Sequence, residues 1–349
     1  MTQVSIGDLA QSFVLRRQNT MLKEEMGKLS LELSSGRTSD VASHLSGDYS
    51  HLADIERGLR VLQGFDTAAT EAQHFTGAMQ LALGHVQDTT SGLAASLIST
   101  SSGYIETAIN SAARSAEADM QAIVATLNTN VAGRSLFSGV ATDRSALASA
   151  DDIMADLRVA ISGAVTSSDV IAAVTDWFEA PGGGFETLGY NGSTTGMSPF
   201  PMGDGQSVDL DLRADNEEIR NALKYTAIAA LSAEASLSFS MDAKKQLQVY
   251  AGEGLLTTQD GLTGIRADLG YAEERIDDNV ARIASEKTSL EYARGELLGV
   301  DPYETATRLE DVQFQLESLY TITVRLSRLS LVKRTDTGVT VTQVVGVDG

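Results

Sequence analysis

Proline is the feature that most constrains this chain. It falls only at Pro181, Pro199, Pro201 and Pro302 of 349 residues. Residues 1–180 and 202–301 hold none, as long uninterrupted helices require. Apolar residues recur through those stretches at steps of three and four. Leu22, Met26, Leu29 and Leu33 mark the first seam, and Leu52, Ile55, Leu59 and Leu62 open a second. After a Ser/Gly-rich break near 99–103, the rhythm resumes through Ile105, Ile109, Ala112, Ala116, Met120, Ile123 and Leu127. Downstream it runs from Leu262 through Leu269, Ile276, Ile283 and Leu290 to Leu297, then through Leu309, Val312, Leu316, Leu319, Leu326 and Leu329. Spacing of this kind, sustained this long, predicts coiled-coil packing.

The punctuation agrees. In "GVDPYE" (299–304), Gly299 is placed to close one helix and Asp301 to cap the next, with Pro302 at its first position and Glu304 set for a capping box. Two antiparallel helices joined there form a hairpin. Gly58, Gly64, Gly77, Gly84 and Gly92 lie inside the second pattern and each weakens an isolated helix by about 1 kcal/mol. They read either as points of close helix approach or as local flexibility. The middle is different. Residues 181–205, "PGGGFETLGYNGSTTGMSPFPMGDG", read as turns and short strands, and "QSVDLDLRA" (206–214) alternates as a strand does. Ile153, Leu157 and Ile161 predict a helix over 151–162, and another is expected over 168–179.

The expected fold is mainly α: an elongated antiparallel coiled-coil or helical bundle formed by both chain ends, with a small inserted α/β outer domain. The expected division is an N-terminal arm (1–50), an ascending helical shaft (51–139), the outer domain (140–215), a returning shaft (216–298), a C-terminal helix (299–332) and a tail (333–349). The Val/Thr alternation of the tail reads as a strand or a disordered extension.

Charge and composition narrow the function. A net charge of −21 disfavours nucleic acid or an anionic membrane as the main partner. The absence of cysteine removes disulfides, Cys-ligated zinc and thiol catalysis. Asp8 and Gln11 interrupt any signal-peptide core, and no apolar run approaches the ~20 residues of a membrane span, so export without a cleaved signal or a cytosolic location is expected.

No catalytic constellation assembles. His44, His51, His74 and His85 lack the four-residue spacing of a helical zinc site. "PGGGFETLG" lacks the Gly-Lys-Ser/Thr of a phosphate loop, and "AGEGLLTTQDG" (251–261) lacks the third glycine of a dinucleotide fingerprint. "RADNEE" (213–218) reads as a helix start, with Asp215 as cap and Glu217 and Glu218 at the positive end of the dipole. Asn191-Gly192-Ser193 reads as a turn. No GxSxG elbow occurs. Neither a metal nor another cofactor is expected, and the protein is read as not an enzyme.

One stretch carries a resemblance. "LNTNVAGRSLFSG" (127–139) resembles the segment at which the ascending helix meets the outer domain in the flagellar hook-associated protein 3 (hook–filament junction) family of the bacterial flagellins. Asn128, Gly133, Arg134, Leu136, Phe137, Ser138 and Gly139 match that pattern. "LSLELSSGRTSD" (29–40) is similar to the Leu-Ser-x-Gly-Arg/Lys turn of the same proteins, and "LESLYTITVRLSRLSLV" (316–332) to their terminal helix. The likeness covers about 35–140 and 255–332. It departs where the family has Ser-Asp-Asp-Pro, for this chain reads "SDVASHLSGDYSHL". Gly133 is expected to end the helix in a left-handed turn, Phe137 to anchor an extended segment, and Gly139 to let the chain leave for the next domain.

The resemblance implies a structural subunit at the hook–filament junction, in the extracellular flagellum. It implies type III export, with a cytosolic chaperone holding the C-terminal helix beforehand. It also implies self-assembly into a ring, between an adjacent hook-associated protein and filament-side subunits. The residues expected to carry assembly are Leu22, Met26, Leu29, Leu33, Leu309, Val312, Leu316, Leu319 and Leu326. Those expected at the domain corner are Gly133, Arg134, Phe137 and Gly139. Flagellin itself is the alternative in the same class, and a soluble coiled-coil adaptor the alternative outside it.

Overall fold

The computed structural model describes residues 6–103, 105–234 and 239–336. The end of the tail, 337–349, lies outside the described residues, and with it most of the strand-or-extension expectation; 333–336 fall within the last helix. The order of elements is α1 (Ile6–Ser35), α2 (Val41–His44), α3 (Ser50–Ser101), α4 (Glu106–Leu127), β1 (Asn130–Val131), β2 (Arg134–Ser135), α5 (Ala150–Ala160), α6 (Ser167–Glu179), a π-helix (Phe185–Gly189), β3 (Phe200–Gly203), β4 (Gln206–Val208), α7 (Glu217–Leu231), α8 (Met241–Leu298) and α9 (Pro302–Asp336). The fold is mainly α, built of long packed helices with two small antiparallel sheets of two strands each, β1–β2 just before the insert and β3–β4 within it.

The chain divides into two compact units, one of residues 1–59 with 287–349, the other of residues 60–286. In the first, α1 packs along α9. The two run antiparallel: Lys23 lies over the Tyr320 ring at 6.0 Å, Glu32 feels the charge of Arg308, and Arg37 pairs with Gly299 in an antiparallel bridge. Helix α1 stops at Gly36, whose φ of +67° is the left-handed conformation that closes a helix; its N–H donates to Glu32 O at 2.8 Å. Asp301 caps α9, its Oδ1 accepting from the N–H of Tyr303 at 2.8 Å and of Glu304 at 3.3 Å, with Pro302 first in the helix. Over "SDVASHLSGDYSHL" the chain makes the short α2, capped by Asp40, and turns through Ser46 and Gly47, both at positive φ.

The second unit has a heptad core. In α3 the buried positions Ala69, Ala72, Thr76, Met79, Leu83, Val86, Thr90, Leu93 and Leu97 alternate steps of three and four. Leu255, Leu262, Leu269, Ile276 and Ile283 of α8 are buried at every seventh residue. A polar ladder flanks this seam. Gln73, Gln80 and Gln87, themselves seven apart, donate to Asp277 Oδ1 (2.7 Å), Arg266 O (2.8 Å) and Thr263 Oγ1 (2.9 Å). These pairings run in opposite directions along the two helices, so α3 and α8 are antiparallel here. Helices α4 and α7 pack on each other, and α5 and α6 pack on them in turn. Arg158 of α5 bridges Glu117 of α4 (2.5 Å) and Glu234 beyond α7 (2.9 Å).

Of the glycines in α3, Gly58 marks a close approach, since a Cβ there would lie 2.8 Å from Leu290 Cδ1. Gly64, Gly77 and Gly92 face open space, so helix contact does not require them. The strand expected over 206–214 is only three residues long. Leu210 is buried and lies beyond the end of β4, and Arg213 next to it pairs with Asp211 (2.5 Å) and Asp215 (2.9 Å). Asp215 is therefore committed, and Asn216 caps α7 instead, accepting from Glu218 N at 2.9 Å.

Candidate functional site

Two clusters of residues stand out, one in each unit. In the first unit, Leu29, Val312 and Leu316 form a buried cluster, 2%, 9% and 5% exposed, with Leu22, Met26 and Leu309 packed against it. Each side chain lies on the face its heptad position assigns, and burying one contributes roughly 1.5–3 kcal/mol. Leu319 is buried and Leu326 half-buried. Leu33 is 39% exposed and stands apart from the cluster. The same two helices leave large apolar side chains in solvent: Phe13, Val14, Met21 and Leu31 on α1, and Tyr303, Phe314, Tyr320, Ile322 and Val324 on α9. Among the described residues, the seam within one chain covers one stripe of each helix. Tyr320, bonded to Asn19 and then to Lys23, is held below the usual tyrosine range.

The second cluster is the corner at 127–139. Helix α4 ends at Leu127, with Asn128 as its C-cap. Asn128 does not simply stop the helix. Its Nδ2 donates to Leu147 O at 3.0 Å and its Oδ1 accepts from Leu147 N at 2.8 Å, as a paired strand would. Gly133 does not end the helix. With Ala132 (φ +52°) and its own φ of +80°, it forms the two-residue turn of the hairpin β1–β2, where both central residues need positive φ. The helix had already closed through its Asn128 cap, five residues earlier. Arg134 then points back onto α3, pairing with Glu71 and lying with its guanidinium 4.9 Å from the centre of the Phe75 ring. Phe75 in turn meets Phe200 of β3 at 6.0 Å.

Leu136, Phe137 and Ser138 are fully buried. Their backbone is clamped from two sides: Phe137 O accepts from Ala214 N (2.9 Å), Ser138 O from Ser193 N (2.9 Å), and Val140 N donates to Thr195 O (3.1 Å). Gly139 sits between those last two bonds at φ +62°, and a Cβ there would lie 2.9 Å from Ser193 O and nearer still to Thr195 O. Only glycine fits that passage. Beyond it, Trp177, Phe178, Phe185 and Tyr190 form one aromatic cluster, with the Trp177 indole donating to Asp156 Oδ2 at 2.7 Å. Burial, and then the charge of Asp215, push the Tyr190 hydroxyl up to about 12. Glu71, Phe75 and Leu147 escaped the sequence reading. They are remote in the chain from the residues they hold, and no local pattern marks them.

No group of three or more potential metal ligands occurs among the described residues, and no described helix is long and apolar enough to cross a membrane.

Long paired helices, a small insert and a half-covered terminal seam define a mainly α protein. Residues 256–333 match the family model described as the bacterial flagellin C-terminal helical region. The match spans most of α8 and nearly all of α9, so these two helices are similar to the C-terminal helical region of flagellins. Among solved structures, a chain from Vibrio parahaemolyticus assigned as a flagellar hook-associated protein aligns over 70% of this chain and 95% of its own length, at 12% identity and a TM-score of 0.49. No curated protein sequence matches.

Proposed function

We propose that this chain is a structural subunit of the bacterial flagellum at the junction of hook and filament. The observation that carries the reading is the flagellin-type region at 256–333, whose last helix meets α1 along Leu29, Val312 and Leu316 while leaving Phe314, Ile322 and Val324 in solvent. A helix pair that buries one stripe and exposes another is built for neighbours. In this reading the terminal helices of successive subunits pack into a ring outside the cell, between an adjacent hook-associated protein and filament-side subunits. The insert at 140–215 is the outward-facing domain. Export goes through the flagellar type III channel, with a cytosolic chaperone covering the C-terminal helix beforehand.

Deleting the gene and imaging the cells tests the reading. Hooks without filaments are expected; cells with normal filaments overturn it. Flagellin is the second reading, favoured by the same match at 256–333. Copy number separates the two, because a filament subunit dominates isolated flagella and a junction subunit is a trace component.

A further inference from the structure

Asn191-Gly192 is a step of the chain to which the proposed function gives no role. Of the eight asparagines, Asn191 alone precedes a glycine. It is exposed, and among the described residues no hydrogen bond holds its carboxamide or the N–H of Gly192. Other carboxamides are tied down. Those of Asn128, Asn216, Asn221 and Asn279 all make hydrogen bonds, and each of these residues precedes one with a Cβ. The chain on either side of Asn191-Gly192 is fixed. Asn191 N donates to Ala146 O at 2.8 Å and Ser193 N to Ser138 O at 2.9 Å, while the Tyr190 hydroxyl donates to Ser193 O at 2.9 Å. Packing imposes the glycine, since a Cβ at 192 would overlap the Tyr190 hydroxyl.

We propose that Asn191 is a site of spontaneous deamidation and isomerisation, and that the reaction releases residues 192–195 from the corner at 137–140. The Gly192 nitrogen attacks Asn191 Cγ and loses its proton. A C–N bond forms, the carboxamide C–N bond breaks, and ammonia leaves, closing a five-membered succinimide. Water then opens the ring. Addition at Cγ gives aspartate; addition at the main-chain carbonyl carbon gives isoaspartate, in which the backbone runs through Cβ and Cγ. Water is the single co-reactant, and the step is neither an oxidation nor a reduction. Gly192 favours closure because it lacks the side chain that would crowd the attacking nitrogen. Neither reacting group has a hydrogen bond to break first. The isoaspartyl link makes the backbone one atom longer between two donors seated on fixed acceptors, Asn191 N on Ala146 O and Ser193 N on Ser138 O. Both donors cannot keep their places across it. The Ser193 bond yields, because Asn191 N precedes the altered link and is held beside the Leu147–Tyr190 bridge. The Val140 N bond to Thr195 O, two residues further on, loosens with it. The inference is independent of the flagellar reading.

The test ages the purified full-length chain at neutral and at mildly alkaline pH. Peptides are mapped by mass spectrometry, with an isoaspartyl methyltransferase as the probe for the isomer. Conversion is expected at Asn191 at least about tenfold faster than at any other asparagine, and faster at the higher pH, because the attacking species is the deprotonated amide nitrogen. Each event adds one negative charge, so ion exchange separates the aged form. Asn191→Gln should stop the acidic form from appearing; its side chain has no bond to lose, so the fold is kept. Hydrogen exchange then compares the separated aged form with Asn191→Asp, which carries the new charge on a backbone of normal length. Protection at the Ser193 and Val140 amides is expected to fall in the aged form and to persist in Asn191→Asp. Two results overturn the proposal. One is a folded chain that leaves Asn191 intact while the urea-unfolded chain converts, which would mean that the corner blocks ring closure. The other is an isoaspartyl form that protects Ser193 and Val140 as well as the unaltered chain does.

Discussion

The side chain of Asn128 pairs with the backbone of Leu147 at both ends, donating to its carbonyl at 3.0 Å and accepting from its N–H at 2.8 Å. Leu147 is 1% exposed, so neither backbone group has water to fall back on. Asn128→Asp keeps the acceptor and loses the donor, leaving a buried carbonyl facing a carboxylate. The expected loss is roughly 1–3 kcal/mol. A fall in melting temperature at neutral pH checks it, and an Asn128→Asp chain as stable as the original would mean that this pairing is not what seats the insert.

Gly139→Ala should destabilise by roughly 1–3 kcal/mol, because φ there is +62° and the new methyl meets Thr195 O, which accepts from Val140 N, and Ser193 O, which accepts from the Tyr190 hydroxyl. Gly205→Ala is the control: its φ is +70° but nothing lies within 4 Å, so only the backbone strain applies and the loss should be smaller. Urea unfolding of the two variants side by side decides whether the close approach or the dihedral dominates.

Leu316→Asp places a carboxylate in a 5%-exposed position between α1 and α9. The expected cost exceeds the ~2–5 kcal/mol of a large-to-small change, since the substitution buries a charge and also removes the leucine's packing against the seam. Limited proteolysis should then trim both ends of the chain while residues 60–286 resist. Under the junction reading, cells carrying the variant should lose their filaments. Unchanged protease resistance at the ends would remove the seam from the account.

Gln87 and Arg266 should couple. Arg266 Nη1 donates to Gln87 Oε1 at 2.7 Å, and Arg266 Nε reaches Gln80 Oε1 at 3.3 Å, so one guanidinium ties two rungs of the ladder. A double-mutant cycle of Gln87→Ala and Arg266→Ala is expected to give an interaction of about 0.5–1.5 kcal/mol. Strict additivity would show that the ladder sets register without adding stability.

Asp169 closes the capping box of α6, its Oδ2 accepting from the N–H of Thr166 (2.8 Å) and Val165 (3.0 Å). The Thr166 backbone bond first, then that of Val165, hold its carboxyl below the ordinary 3.8. A depressed folded value means that its stabilisation is present above the unfolded value and is lost as pH falls through the folded one. Asp169→Asn should therefore lower stability at neutral pH and flatten its dependence on pH at the acid end. The fluorescence of Trp177, the single tryptophan, reports on the same helix. An acid profile identical to that of the original chain would exclude the box as an acid-sensitive element.

Much of the helical framework was legible from residue order. The 151–162 and 168–179 expectations meet α5 and α6, whose faces are set by Ile153, Leu157, Val170 and Val174 recurring every fourth residue. The seam residues Leu22, Met26, Leu29, Leu309, Val312 and Leu316 could be found because a helix repeats its buried face on a fixed period, and that period is written locally. The start of α9 at Asp301-Pro302 was readable for the same reason, since a cap needs only its own turn.

What lay outside that reach was every feature decided by a distant partner. Gly133 looked like a helix stop, but a positive φ suits a hairpin turn as well as a helix end, and only the pairing of Asn130–Val131 with Arg134–Ser135 distinguishes them. "QSVDLDLRA" alternates like a strand for nine residues, yet the ladder ends at Val208, because its partner β3 spans only Phe200–Gly203 and offers no residue beyond Phe200 to pair with. Arg134 finds Glu71 and Phe75 across 63 and 59 positions of chain, and nothing near Arg134 names them.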